Sequence, residues 1–264
     1  MFQMLLASYA HKIYEARGIT ETEWGFGMKT DILVKENVDF FEFLSDFYEK
    51  LKPFNLKKEI QDPEKAAIFS ADMIVGFCSQ GNLASERIRK LIPPIVELFK
   101  KAHELGINKF VLVQDAHDSA APEFEAWPSH CVKGTRESET IPELANLEFS
   151  DEFVIIRKNS LHPALNTEMN PWLEENLELR DLIVVGNCTD LCVYNLAMHL
   201  RLRANAYNLR HQRVILPANC VDTYDLSVKQ AENLSVLPHP GDFIHLFFLY
   251  HMALNGINVV QKII

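Results

Sequence analysis

From residue 66 onward, short unbroken apolar runs alternate with longer stretches that place apolar residues at helical spacing. The runs are AAIFSAD (66–72), KFVLVQDAH (109–117), EFVIIRKNS (152–160), DLIVVGN (181–187), RVILPANCVDT (213–223) and INVVQKI from 257. They are continuously apolar rather than alternating, so they read as parallel strands buried on both faces. PPIVELFKKAHELG, DLCVYNLAMHLRLRANAYN and FIHLFFLYHMALNG read as helices between or after them. Pro93 and Pro94 suit a helix start, and Gly106 and Gly256 sit where helix C-caps belong. Strand–helix units of roughly 25–35 residues predict an α/β fold, a doubly wound, mostly parallel sheet with right-handed crossovers.

Residues 1–60 follow another pattern. ENVDFFEFLSDFYEKLK sets mostly aromatic apolar residues at helical spacing with acids between them. This predicts an N-terminal helical arm over 1–60, joined through the charged KKEIQDPEK to a domain spanning 61–264. The aromatic stripe reads as core or as a subunit contact.

Composition narrows the class. A chain of 264 residues, 48% hydrophobic, builds a substantial core. A net charge of −10 argues against a general partner role with nucleic acid or an anionic membrane, since both need a basic face. No apolar run reaches the ~18 residues of a spanning helix. MFQMLLASYAHKIYEARG lacks a basic start and a cleavage site, and does not read as a signal peptide. The five cysteines are odd in number and the chain is too large to need staples, which points to a reducing cytoplasm.

In a doubly wound sheet, ligands bind beyond the carboxyl ends of the strands. The polar residues at those ends are Asp72, then Asp115 and His117, then Lys158, and, after GNCTD, Cys192. A helix starting near Thr189 or Asp190 would hold Cys192 in its first turn. There the helix dipole and a neighbouring lysine favour a thiolate, and Asp72 would relay its proton. A second constellation lies in residues 113–135. Asp115 and His117 are two apart on an extended chain and so share a side, and His130 returns in WPSHCV. One carboxylate and two imidazoles suit a divalent metal, zinc foremost, with iron or manganese as alternatives.

Together, D-x-H, W-P-x-H-C-V, the lysine ending the next strand and G-x-x-T-D-x-C-V resemble the isochorismatase-like cysteine hydrolases, and among them the nicotinamidases, over roughly residues 64–264. The resemblance implies Cys192 as nucleophile with Asp72 and Lys158 as its catalytic partners. It implies Asp115, His117 and His130 as metal ligands, and Phe77 and Trp127 as rings that hold the substrate. It also implies a cis peptide at Asn187–Cys188 and an oxyanion hole formed by the backbone amides of Cys188 and Cys192. The substrate would be a small amide, hydrolysed through a thioester. The assembly would be a homo-oligomer, a dimer or tetramer. The chain departs from the family pattern where IVG replaces Gln-Asn-Asp after Asp72, and where RES, with Glu137, stands in place of smaller residues. A different small amide or carbamoyl substrate, or a silent scaffold, are the alternative readings.

Overall fold

The structure, a computed structural model, describes residues 30–264. Residues 1–29 of the expected arm lie outside the described residues. Two compact units divide the chain at Ser45. The described part of the first holds helix α1 (Thr30–Glu36) and most of α2 (Val38–Glu49).

The second unit carries the sheet. Its strands are β1 (Ala66–Ala71), β2 (Phe110–Asp115), β3 (Phe153–Lys158), β4 (Asp181–Asn187), β5 (Arg213–Pro217), β6 (Val221–Asp222) and β7 (Asn258–Val260). The order is β3-β2-β1-β4-β5-β7, with the short β6 also paired to β4. Every pairing is parallel. The winding reverses between β1 and β4, which makes the carboxyl ends of those strands the topological switch point.

Alternate side chains of the central strands serve two separate cores. Ile68, Phe110, Ile183 and Ile215 pack with Phe99 on one face, beneath α3 (Ile92–Leu105). Phe69, Val111, Val184 and Val214 pack on the other with α4 (Met169–Glu175), α5 (Cys192–Ala206) and α6 (Gly241–Leu254). Each such side chain, fully buried, stabilises the fold by about 1.5–3 kcal/mol. This double burial is why the strands read as unbroken apolar runs. The two edge strands differ: β3 leaves Ile155 46% exposed, and β7 leaves Asn258 exposed. The 213–223 run also breaks, into β5, a 3-10 turn at Ala218–Cys220, and β6. Gly106 caps α3 in the left-handed region, φ 99°.

Residues of the expected arm and linker take part in this unit. Phe54 and Leu56 are buried, and their amides donate to the carbonyls of Lys262 and Ile264. Phe47 meets Tyr250 edge-on at 6.0 Å. No helix among the described residues is long and apolar enough to cross a membrane.

Candidate active site

Strand register assembles the site. Asp115 and Lys158 are direct partners across β2 and β3. Ala71, the last residue of β1, pairs with Val113 on one side and Gly186 on the other. The next residue, Asp72, therefore emerges between β2 and β4, with a left-handed backbone (φ 52°) uncommon outside glycine. Its amide donates to the Val113 carbonyl (2.9 Å), and its carbonyl accepts from the Asn187 side-chain amide (2.7 Å).

Gly186 makes this approach feasible. It has φ 115°, and a β-carbon there would stand 2.0 Å from the Ala71 carbonyl oxygen. Gly186→Ala should cost more than about 4 kcal/mol of stability in a urea melt, the range reserved for severe backbone clashes. A loss under about 1 kcal/mol would show that β1 and β4 can part without harm.

Asp72, Lys158 and Cys192 come together as expected from the strand ends, all buried. The Lys158 ammonium lies 2.9 Å from Asp72 Oδ2, within ion-pair distance, and donates to Asp115 Oδ1 and to Cys192 Sγ, the latter at 3.4 Å. Asp72 Oδ1 accepts the Asp115 amide at 2.7 Å. One side-chain atom from each of Asp72, Asp115 and Cys192 falls within 4.8 Å of the others. Asp115, expected only as a metal ligand, is thus also a partner of Lys158.

The electrostatics follow from two carboxylates and one ammonium sealed from water. Burial and the Asp115 charge push the Asp72 carboxyl up to about 6 against the pull of Lys158. For Asp115, burial acts upward but is outweighed by Lys158 and His117, which hold it below the ordinary carboxylate value. Burial alone would lower Lys158, yet Asp115 and Asp72 raise it well above the usual ammonium range. The Cys192 thiol is raised well above its ordinary value by burial, with Lys158 opposing and both aspartates reinforcing. Burial is the largest of these influences, so the thiol needs a proton acceptor beside it, the part that Asp72 is placed to play.

The helix also starts later than its sequence suggests. Cys192 is the first residue of α5, after Leu191. The Asn187–Cys188 peptide is cis. Among the described residues, the Cys188 and Cys192 amides have no backbone acceptor, whereas Thr189, Leu191 and Val193 all donate. The Cys188 side chain is half-buried against the α3-side core.

Asp115, His117 and His130 also converge, their donor atoms within 4.8 Å of one another. His117 is held in extended backbone by a bridge to Val132, the loop segment that carries His130. Its Nδ1 faces the Asn159 side-chain oxygen Oδ1 at 3.2 Å and must carry the proton, so Nε2 presents its lone pair. That Nε2 is buried without a hydrogen-bond partner, 3.5 Å from Asp115 Oδ2. His130 repeats the arrangement, with Nδ1 donating to the Pro128 carbonyl at 2.8 Å. Two imidazoles with tautomers fixed by carbonyl oxygens and one carboxylate fit a divalent metal.

Of the two expected substrate rings, Phe77 lies 5.7 Å from the His130 ring, while Trp127 meets Tyr224 edge-on at 5.9 Å. Phe124, not anticipated, sits 5.5 Å from both histidine rings. Glu123 Oε1 lies 3.9 Å from His117 Nε2. Asn159, directly after Lys158 at a strand end, takes the specific role of holding His117. Glu137 accepts the Cys131 amide at 3.0 Å, tying down the loop of His130.

Fold and site together define a doubly wound α/β protein with a Cys-Asp-Lys cluster and a two-histidine, one-aspartate set at its switch point. The chain belongs to the isochorismatase domain family, whose sequence profile matches residues 66–238, and so is an isochorismatase-like hydrolase. It is 29% identical over 238 residues to nicotinamidase 1 of Arabidopsis thaliana, covering 79% of this chain and 94% of that protein. The fold is shared with a cysteine hydrolase from Pseudomonas syringae pv. phaseolicola (TM-score 0.62, 17% identity, 80% of this chain and 92% of that one). It is also shared with the pyrazinamidase of Pyrococcus horikoshii in complex with zinc (TM-score 0.57, 24% identity, 75% and 99%).

Proposed function

We propose that the protein is a cysteine amidohydrolase acting on a small aromatic amide, nicotinamide foremost, yielding nicotinate and ammonia. The observation that carries this reading is the single buried cluster in which Lys158 bridges Asp72, Cys192 and Asp115. It couples a nucleophile and proton relay to the histidine set. The resemblance to a nicotinamidase along 94% of its length supports the substrate.

The chemistry follows from the geometry. Asp72 takes the Cys192 proton as sulfur attacks the amide carbonyl, so the thiolate exists only while it is being consumed. The free Cys188 and Cys192 amides receive the developing oxyanion; one such donor is typically worth about 3 kcal/mol. Asp72 returns the proton to nitrogen, ammonia leaves, and a thioester remains on Cys192. Water, deprotonated by Asp72, then attacks the thioester; the C–S bond breaks, the carboxylate product leaves, and Asp72 returns the proton to the Cys192 sulfur. A carboxyl group raised to about 6 suits a residue that must both accept and return a proton near neutral pH. Lys158 keeps Asp72 ionised and offsets the charge of Asp115.

Asp115, His117 and His130 would hold a divalent metal, with zinc the natural occupant of such a set and iron or manganese the alternatives. When bound it supplies a Lewis-acid position for a lone pair such as a ring nitrogen. Phe77 and Phe124 flank these ligands and would steady a flat ring. His130→Ala should lose stoichiometric metal by elemental analysis and raise KM for nicotinamide more than it lowers kcat. Wild-type metal content in that variant would remove His130 from the site.

The pH dependence has a definite sign. Below about 6 Asp72 is protonated and cannot take the thiol proton, so kcat/KM should fall about tenfold per pH unit. Stability should move the other way. The folded value lies above the ordinary 3.8, so Asp72 adds stability that is complete below about 4 and lost as pH rises through about 6. An activity profile flat to pH 4.5 would exclude Asp72 as the base. The substrate itself is tested by ammonia release from nicotinamide, pyrazinamide and carbamoyl compounds. The highest kcat/KM should belong to nicotinamide; turnover confined to carbamoyl compounds would overturn the assignment.

A further inference from the structure

Away from the hydrolase cluster, a cleft of about 510 Å³ opens between α5, α4 and the loop after β3. Its volume lies within the range of small-molecule sites, about 300–1,000 Å³. Arg203 lines it and is only 7% exposed. Its Nη2 is buried and has no hydrogen-bond partner among the described residues, and no described carboxylate forms an ion pair with it. The guanidinium instead stacks over the Tyr207 ring, 4.7 Å from its centroid. A buried cation without a counter-charge is costly, and proteins rarely tolerate one unless an anion completes it.

The neighbouring walls add donors rather than acids. His162 Nδ1 accepts the Ala164 amide at 3.2 Å, so its neutral ring carries the proton on Nε2. His199 Nε2 donates to Asn170 Oδ1 at 2.8 Å, and the two imidazoles meet edge to face at 5.3 Å. Burial, with His162 and Arg203 close by, depresses His199 to about 4, as expected where positive charge lacks compensation. Among the described residues, Glu174, exposed, is the one acid lining the cleft. Met198 and Leu202 supply an apolar wall. One buried guanidinium with a neutral imidazole N–H beside it stands out in a chain of net charge −10.

We infer that this cleft is a second ligand site, for an organic phosphate whose phosphate meets Arg203 and the His162 N–H and whose flat body lies against Met198, Leu202 and Tyr207. A guanidinium pairs with phosphate oxygens through two parallel hydrogen bonds, and the cleft is roomy enough for a ring beside the phosphate. The site does not depend on the hydrolytic reading, and its occupancy is independent of Cys192.

The test is calorimetric titration of the full chain with AMP and, separately, with inorganic phosphate. AMP should bind wild type and Cys192→Ala equally, with a Kd below about 1 mM, and inorganic phosphate should bind more weakly. Arg203→Met, which keeps the stem volume, should weaken AMP by about tenfold or more. If that variant does not fold, His162→Ala on the half-buried loop should show the same direction. Absence of AMP binding at about 10 mM, or equal binding by folded Arg203→Met and His162→Ala, overturns the proposal. A dimer that Arg203→Met dissociates, without anion binding to wild type, would overturn it too and give the guanidinium to a second copy of the chain.

Discussion

Cys192→Ala should lose amide hydrolysis by about four orders of magnitude or more, because nucleophile and proton relay act as one unit. The variant should still fold and still bind substrate. Cys192 opens α5 as a buried member of the α5-side core, and removing one sulfur leaves a small defect. Affinity should persist because Phe77, Phe124 and the Asp115, His117 and His130 set are untouched. Equilibrium dialysis with nicotinamide beside a steady-state ammonia assay separates the two quantities. Activity within tenfold of wild type would exclude Cys192 as nucleophile.

Lys158→Met should damage both stability and rate. Among the described residues, Lys158 is the one cation whose contacts reach Asp72, Asp115 and Cys192 together. Without it, two carboxylates whose ordinary charges repel would face each other out of water. Breaking such a buried pair costs about 3–5 kcal/mol, so urea unfolding at pH 7 should shift by that amount. Part of the loss should return at pH 5, where a carboxylate regains a proton and the repulsion ends. The rate should fall by about a thousandfold or more, since neither the ionised Asp72 nor the charge balance survives. Unchanged stability at pH 7 would mean the carboxylates are compensated by another group.

The central strands were legible because each is buried on both faces: Phe69 and Ile68 go to different cores, so neither needs a polar neighbour on its own strand. β3 keeps the apolar pattern but not the double burial, since an edge strand wets one side and Ile155 tolerates it. Asp72, Lys158 and Cys192 were legible as polar residues terminating apolar runs, because parallel strands bring those ends to one rim. The link between Asp115 and Lys158 was not, because it depends on the register of β2 against β3, which residue pattern leaves open. Likewise, nothing in DSAAPEFEA marks Phe124 over the histidines; a loop's side-chain directions are set by the backbone path between Asp118 and Pro128. The full set of charges around Cys192 was not legible for a similar reason. Sequence shows a helix start and a lysine, but the second carboxylate beside the sulfur appears only in three dimensions.

The proposed reaction passes through a covalent acyl intermediate at one sulfur. Rapid acid quench during nicotinamide turnover, followed by peptide mapping, reads it directly. A nicotinoyl mass should be found on the peptide that contains Cys192, present within the first turnover and absent from Cys192→Ala. Efficient turnover with that peptide unmodified at every quench time, together with ammonia release by Cys192→Ala, would contradict it.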